Sequence, residues 1–386
     1  MPANAVFHPF DTYTIPLEQQ FRSWPRQVQR PYDKATVDPY TRTRVILMNG
    51  IENDSWMFLH QWYRNTDDLA LRGLIATLRR VESQQQTTVN WLNPADQSVI
   101  ETTIAYEQVA VDLTANLARN EPDPYAKQVL DFALIEDLDH LFRYAHLMQM
   151  LDGKSAESIV KGQTEIIEGR PTREEHRHPM DMVRRHYDDQ TAHIKTKLNS
   201  QTITAAEQQT YLFYKSHGAT YGNELARQLY AEIAEVEEEH VTQYESLADP
   251  RLSWLEKAAL KQVNEAYNYF SCWQTETDPR FAAIWEEFYR MELEHIRQVG
   301  MLLSQYEGKD IRQMFPANIS PLIVFEPNKE YVRNIVNTQR GLQPISTEFK
   351  RADQMPPEWK TPGYMQQVNR EGVPSEMVVE RVAMPM

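Results

Sequence analysis

The chain has 386 residues, of which 41% are hydrophobic and 25% are charged, a balance typical of a folded globular protein. Its net charge of −15 excludes nucleic acid and anionic membrane surfaces as expected partners, because both would repel such a protein. The one cysteine, Cys272, cannot form an internal disulfide, and no apolar run approaches the ~18 residues of a membrane span. We therefore expect a cytoplasmic protein without a membrane anchor.

In chain order, the sequence predicts an arm, a helical domain and a tail. Residues 1–43 contain six prolines and no helical period, so we expect an irregular N-terminal arm. Residues 44–306 follow a helical pattern, which predicts an all-α domain of about eight main helices. Residues 307–386 are punctuated by prolines, and we expect an extended C-terminal tail that wraps the bundle or a neighbouring subunit.

Turn signals divide the helical region into four hairpins. In the second hairpin, Asp123 can cap a helix whose first turn holds Pro124, and Asp278 with Pro279 repeats this arrangement in the fourth. The first two hairpins are related by an offset of 55 residues, as Arg64-Asn65 and Arg119-Asn120 show, which indicates an internal repeat. The predicted turns lie at residues 64–68, 119–124, 217–223 and 275–279.

The segment between the second and third hairpins, residues 152–202, is predicted to be a long crossover. It contains a helical pattern near residues 180–199 and a basic run with two histidines at residues 173–179. We interpret that run as a charged surface connector, although its histidines and the nearby His186 and His193 would also suit adventitious metal binding.

The second and third hairpins carry the same spaced set of acidic and imidazole side chains. In each, a glutamate is followed thirty residues later by a second acid and, three residues after that, by a histidine. Residues equally far from the turn of an antiparallel hairpin lie at the same height, and residues three apart share one helix face. Two such hairpins packed together would bring six side chains to one level: Glu107, Asp137, His140, Glu207, Glu237 and His240.

Four carboxylates and two imidazoles form a suitable ligand set for two metal ions. The carboxylates could not all stay ionised in a dry interior unless cations neutralised them. Oxygen ligands with one imidazole for each ion suit iron or manganese better than zinc, which prefers nitrogen and sulfur. The spacing therefore predicts a site for two Fe or Mn ions.

A glutamate, then a carboxylate-x-x-His, repeated across a long crossover, resembles the ferritin-like di-metal carboxylate superfamily, which includes rubrerythrins, manganese catalases and bacterial di-iron oxygenases. The resemblance implies a ferritin-like four-helix bundle formed by residues 98–151 and 203–248, flanked by two further helical hairpins. It also implies an oxidoreductase that reacts with dioxygen or peroxide at a carboxylate- and histidine-bridged di-iron or di-manganese centre.

By this resemblance Glu107 and Glu207 would be terminal or bridging ligands, Asp137 and Glu237 would bridge, and each histidine would bind one ion. The chain departs from the family at Asp137, which is one methylene shorter than the usual glutamate. Glu136 lies four residues before His140 and remains an alternative ligand.

The outer hairpins repeat part of the pattern. Glu52 and Glu82 hold the corresponding places in the first hairpin, with Gln85 where histidine would stand, and Glu292 and His295 do so in the fourth. A second metal site is one interpretation, and a degenerate repeat that only buttresses the core is the one we favour. Two further residues, Tyr144 and Tyr244, lie four positions after the histidines, where they hydrogen-bond ligand carboxylates, relay an electron or pack as ordinary aromatic residues.

Several functional outcomes stay open. A peroxidase or catalase needs a small pocket beside the metals, whereas an oxygenase needs an apolar channel for an organic substrate. The sequence has no Cys-x-x-Cys pair for a second iron centre, so any electron donor would be external. We expect a small-molecule oxidant or substrate and a homo-oligomer. The alternative is a non-enzymatic metal-storage or structural helical bundle.

Overall fold

The computed structural model describes residues 5–384. Within this range the chain is mostly helical, at 66%, with thirteen α-helices and one two-stranded sheet, which confirms the all-α prediction. None of the described helices combines the length and the apolar character needed to cross a lipid bilayer.

Eight long helices account for about half of the chain, and shorter helices lie near both ends and in the crossover. In chain order the helices are α1 (Trp24–Gln27), α2 (Pro39–Arg64), α3 (Leu69–Asn90), α4 (Val99–Asn120), α5 (Pro124–Asp152), α6 (Glu157–Val160), α7 (Ile194–His217), α8 (Glu224–Glu245), α9 (Trp254–Thr275), α10 (Pro279–Leu302), α11 (Lys329–Gln339), α12 (Thr361–Val368) and α13 (Pro374–Ala383). The antiparallel strands β1 (Leu342–Ile345) and β2 (Glu348–Arg351) follow α11.

The four predicted turns all lie between paired helices, as expected. Asp123 caps α5 by accepting hydrogen bonds from two backbone amides, with Pro124 in the first turn. Asp278 caps α10 by accepting from the Arg280 amide, with Pro279 in the first turn. These caps fix where each helix begins. They thereby set the register at which the mid-helix acids of one helix face those of its hairpin partner.

The chain forms two compact units, each discontinuous in sequence. The first comprises residues 5–96, 188–205 and 249–325, and the second comprises 97–187, 206–248 and 326–384. The expected arm, helical domain and tail are therefore successive segments of the sequence, but they are not separate packing units. The first and fourth hairpins belong to one unit, while the second hairpin and the third from residue 206 onwards belong to the other.

In the first unit, the α2–α3 hairpin and the α9–α10 hairpin meet through a contact between α2 and α9. Helix α9 begins with a reciprocal capping box, in which Ser253 and Glu256 each bond the other's backbone amide. The short helix α1 packs against α3. The core of this unit lies between the two hairpins.

In the second unit, α4 and α5 form one hairpin, and α8 packs against α5. Helix α4 begins with the same kind of capping box, formed by Ser98 and Glu101. The C-terminal helices are part of this unit, because α11 packs on α5 and α13 packs on both α5 and α8. The tail after residue 326 thus covers the bundle that carries the predicted site.

The crossover differs from the prediction at its end. We expected a helix near residues 180–199 and a separate helix from 203, but α7 runs without interruption from Ile194 to His217. No glycine or proline interrupts residues 194–217, so one helix continues where we expected two. The preceding segment is held outside the helix, since the Tyr187 amide donates to the Leu247 carbonyl at 3.0 Å.

Candidate metal centre

All six side chains predicted to form the site converge inside the second unit. They are at most 1% exposed to solvent. Potential ligand atoms lie within 4.8 Å of one another in two groups, and Glu237 belongs to both. The first group contains Glu107, His140 and Glu237, and the second contains Asp137, Glu207, Glu237 and His240.

Four helices supply these side chains. Glu107 comes from α4, Asp137 and His140 come from α5, Glu207 comes from α7, and Glu237 and His240 come from α8. On α5 and α8 the acid and the histidine are three residues apart, which places both on the same face of the helix. The equal distances from the capped turns then bring these faces to one level, as the spacing predicted.

Each imidazole directs one nitrogen towards the cluster and the other towards a carboxylate outside it. His240 Nδ1 lies 3.4 Å from Asp137, 3.8 Å from Glu207 and 3.3 Å from Glu237, without a hydrogen bond to any of them. Its Nε2 lies 3.0 Å from Glu136 Oε2. A carboxylate behind an imidazole fixes the ring and increases its basicity, an arrangement common among metal-binding histidines.

His140 has the same orientation. Its Nδ1 lies 3.0 Å from Glu237 Oε1, and its Nε2 lies 3.2 Å from Glu175 Oε2. The two imidazole rings are separated by 5.8 Å between their centroids. Both histidines therefore present Nδ1 to the cluster, one on each side of the shared Glu237.

Two further side chains donate hydrogen bonds to the carboxylates of the cluster. The Tyr214 hydroxyl on α7 donates to Glu107 Oε1, and the Thr114 hydroxyl on α4 donates to Asp137 Oδ2 at 3.1 Å. Each contact holds one oxygen of its carboxylate and leaves the other free. Tyr214 follows Glu207 by seven residues, two helical turns along, so its position on the same face was a signal that we missed.

The cluster contains several buried polar atoms that have no hydrogen-bond partner. Buried polar groups are almost always paired, so a concentration of unpaired acceptors at one point requires an explanation. Cations coordinated by these oxygens and by the imidazole nitrogen would provide one. The unpaired atoms are Glu107 Oε2, Asp137 Oδ1, Glu207 Oε1 and Oε2, Glu237 Oε2 and His240 Nδ1.

Burial and crowding shift the pKa values of these acids in opposite directions. Burial raises the pKa of Asp137 to about 7, and it raises those of Glu107 and Glu207 well above the usual range. Burial alone would also raise the pKa of Glu237, but the imidazoles of His140 and His240 outweigh it and lower that pKa. Without cations, the cluster therefore retains protons at neutral pH.

Glu136 and Asp137, between which the sequence did not decide, have different surroundings. Asp137 belongs to the cluster, whereas Glu136 receives hydrogen bonds from the Arg177 guanidinium, with 2.7 Å between Nη1 and Oε1, and lies 3.5 Å from Arg170 Nε. Burial would raise the pKa of Glu136, but the two guanidinium groups dominate and lower it. Glu136 is therefore a charged carboxylate behind His240.

The prediction that residues 173–179 form a surface connector was wrong for the centre of that run. Glu175 and Arg177 are fully buried, and His176 is 7% exposed. Arg177 also lies 3.2 Å from Glu239 Oε2 on α8, so this segment supplies both a charge and a histidine partner to the site. Glu175 lies in an irregular segment, where no helical period relates its position to that of the helix residues. The sequence therefore did not predict that Glu175 contacts His140.

The two tyrosines that we considered as hydrogen-bonding neighbours are both fully buried. Tyr144 packs with its ring centroid 5.1 Å from that of Tyr214 and 4.9 Å from that of Tyr230, and its hydroxyl has no hydrogen-bond partner. The Tyr244 ring lies 6.3 Å from that of His240. Tyr214, and not Tyr144, bonds a carboxylate of the cluster.

Comparisons with known proteins do not assign the chain to a family. The sequence matches no family model, and neither a curated protein nor a solved structure matches this chain. What the centre can do must therefore be inferred from its own side chains.

Proposed function

We propose that the protein is an oxidoreductase that binds a pair of iron or manganese ions in the second unit and reacts there with dioxygen or peroxide. The observation that carries this proposal is the pair of ligand groups that share Glu237, each with one histidine that presents Nδ1. We also propose that α4, α5, α7 and α8 correspond to the four helices of a ferritin-like bundle, joined by the crossover between α5 and α7.

The donor set fits two such ions. Glu107 and His140 would hold one ion, Glu207 and His240 would hold the other, and Glu237 would be shared between them. Asp137 would complete the second group. When bound, the metal pair would supply the electrons or the Lewis acidity that dioxygen and peroxide chemistry requires.

The protein residues position this set and balance its charge. Glu175 and Glu136 accept from the outer nitrogens of the imidazoles and so orient Nδ1 towards the ions. Tyr214 and Thr114 restrain one oxygen each on Glu107 and Asp137. Because the ligand side chains are almost fully buried, a small oxidant fits this centre better than a bulky organic substrate.

Metal analysis of matched variants tests the proposal. We expect Glu237→Gln to lower affinity for Fe²⁺ or Mn²⁺ at least 100-fold, because the shared carboxylate serves both groups, and to remove about two ions per chain. The control is Glu238→Gln, which changes a half-buried neighbour outside both groups. Equal metal content in both variants would contradict the proposal.

A histidine pair on α5 provides a second comparison. We expect His140→Ala to weaken metal binding, whereas His146→Ala should leave it unchanged, because the half-buried His146 lies outside both groups and its Nδ1 bonds the Phe142 carbonyl at 2.8 Å. Oxygen and peroxide consumption by the reduced, metal-loaded protein then separates catalysis from storage. Sustained turnover supports an oxidoreductase, and binding without turnover favours the storage alternative.

Metal binding at this centre should strengthen as the pH rises. The pKa of Asp137 is about 7 because of burial, and neighbouring carboxylates raise the pKa of His140 and His240 despite the opposite effect of burial. A cation must displace these protons, so we expect affinity for Mn²⁺ to increase at least tenfold from pH 6 to pH 7. Titration calorimetry in two buffers of different ionisation enthalpy measures the released protons, and binding that releases none would contradict this mechanism.

A further inference from the structure

The first unit contains a second buried cluster on four other helices. Glu52 lies on α2, Glu82 on α3, Glu265 on α9, and Glu292 and His295 lie on α10. All five side chains are at most 2% exposed. Potential ligand atoms again lie within 4.8 Å of one another in two groups that share one carboxylate, here that of Glu82.

The cluster has acceptor oxygens without donors, and these are not confined to its acids. Gln85 is fully buried, and its Nε2 donates to Glu292 Oε1 at 2.7 Å and to Glu52 Oε1 at 3.3 Å, which places its amide among the carboxylates. Its Oε1 nevertheless has no hydrogen-bond partner. The same is true of Glu52 Oε2, Glu82 Oε2, Glu265 Oε1 and Gln262 Oε1.

The contacts around this cluster resemble those of the second unit. His295 presents Nδ1 to Glu292 at 2.9 Å and to Glu82 at 3.1 Å, while its Nε2 lies 2.7 Å from Gln20 Oε1. A tyrosine hydroxyl, that of Tyr269, donates to Glu52 just as Tyr214 donates to Glu107. The two tyrosines are 55 positions apart in the sequence, and so are the two glutamates that they contact. This is the offset of the hairpin repeat.

Two differences distinguish the ligand sets. Gln85 stands where a second histidine would lie, so the cluster has one imidazole, and its donors are otherwise oxygens. The repeat predicts an acid at position 262, but that residue is Gln262. Glu265, one helical turn later, reaches the cluster instead. The Ser55 hydroxyl donates a hydrogen bond to Glu265 Oε2 at 3.0 Å. Four carboxyl groups therefore share one imidazole, so this buried site has more acidic than basic groups.

We propose that this cluster is a second metal site, which binds divalent cations with a preference for oxygen ligands, such as Mn²⁺. Glu82, Glu292 and His295 hold one cation, and Glu52, Glu82 and Glu265 hold another. The unpaired amide oxygen of Gln85 is available as an uncharged metal ligand. An oxygen-rich set favours Mn²⁺ over softer ions. The degenerate-repeat interpretation explains the burial of these residues but gives no partner for the free oxygens.

The test uses the full chain with the site of the second unit disabled. In a His140→Ala, Glu237→Gln, His240→Ala background, which removes both imidazoles and the shared carboxylate of the second-unit centre, electron paramagnetic resonance should detect Mn²⁺ bound to the protein. Adding Glu292→Gln should lower this affinity at least tenfold, whereas adding Glu286→Gln, a half-buried change on the same helix, should not. A background protein that binds no Mn²⁺ at millimolar concentration would overturn the proposal.

A gain-of-function variant covers the case in which Glu292→Gln does not fold. Gln85→His restores the second imidazole at the position equivalent to His140, and in the same background it should raise affinity for Co²⁺ at least tenfold. Unchanged Co²⁺ affinity would contradict the proposal. Because the background lacks both histidines and the shared Glu237 carboxylate of the second unit, these results are independent of the proposed oxidoreductase centre, which is tested separately by Glu237→Gln in the otherwise unchanged chain.

Discussion

Replacing Arg177 by methionine is expected to destabilise the protein by about 3–5 kcal/mol, the usual cost of removing one partner from a buried ion pair. The guanidinium is fully buried, hydrogen-bonds Glu136 and lies 3.2 Å from Glu239. Without it, two buried carboxylates on different helices would lose their main counter-charge. Equilibrium denaturation at pH 7 measures the change in the free energy of unfolding.

Two further variants establish the cause. Arg173→Met removes a 55% exposed guanidinium that pairs with Glu376, so it should change the free energy of unfolding by at most about 0.5 kcal/mol. Arg177→Met combined with Glu136→Gln should recover part of the loss, because the carboxylate left without its partner is then neutral. A double variant no more stable than Arg177→Met would show that lost packing against Phe132 dominates instead.

The second large effect has the opposite sign: Glu207→Gln should stabilise the metal-free protein while weakening metal binding. Both carboxylate oxygens of Glu207 are buried without a hydrogen-bond partner, and burial raises its pKa well above the usual range. Because the pKa is raised, folding favours the protonated form of this carboxyl group, and the resulting proton uptake has a free-energy cost at pH 7. Glutamine has a similar shape and does not incur that cost.

The pH dependence separates this mechanism from a simple packing effect. A carboxyl group whose pKa is raised by folding holds its proton in the folded state and loses it in the unfolded chain as the pH rises above about 4.3. The stability of the metal-free protein should therefore fall with rising pH, and Glu207→Gln should reduce that slope. Thermal unfolding from pH 4.5 to 7.5 measures both, with the exposed Glu235→Gln as the control. Destabilisation by Glu207→Gln would indicate a structural role.

Local signals in the sequence predicted much of the fold. The Asp-Pro caps at residues 123–124 and 278–279 were correct, because capping depends on a few adjacent residues. The thirty-residue separation of Glu107 and Asp137 also predicted that both would lie at the level of the cluster, where each belongs to a group that contains Glu237. The crossover was less predictable: α7 begins at Ile194, where the His193 imidazole accepts a hydrogen bond from the Lys195 amide at 3.1 Å, and histidine is not among the residues that usually cap a helix.

The sequence by itself determined which acids and histidines share a height and a face, because helix period and hairpin turns are local properties. Only the tertiary structure decided that Asp137 faces the cluster while Glu136 faces Arg177, that Glu175 supports His140, and that Glu265 reaches the second cluster. These outcomes depend on which elements pack together across long stretches of chain. Charged side chains that become buried need a counter-charge or a hydrogen-bond partner. In this protein such partners come from elements that are far apart in the sequence.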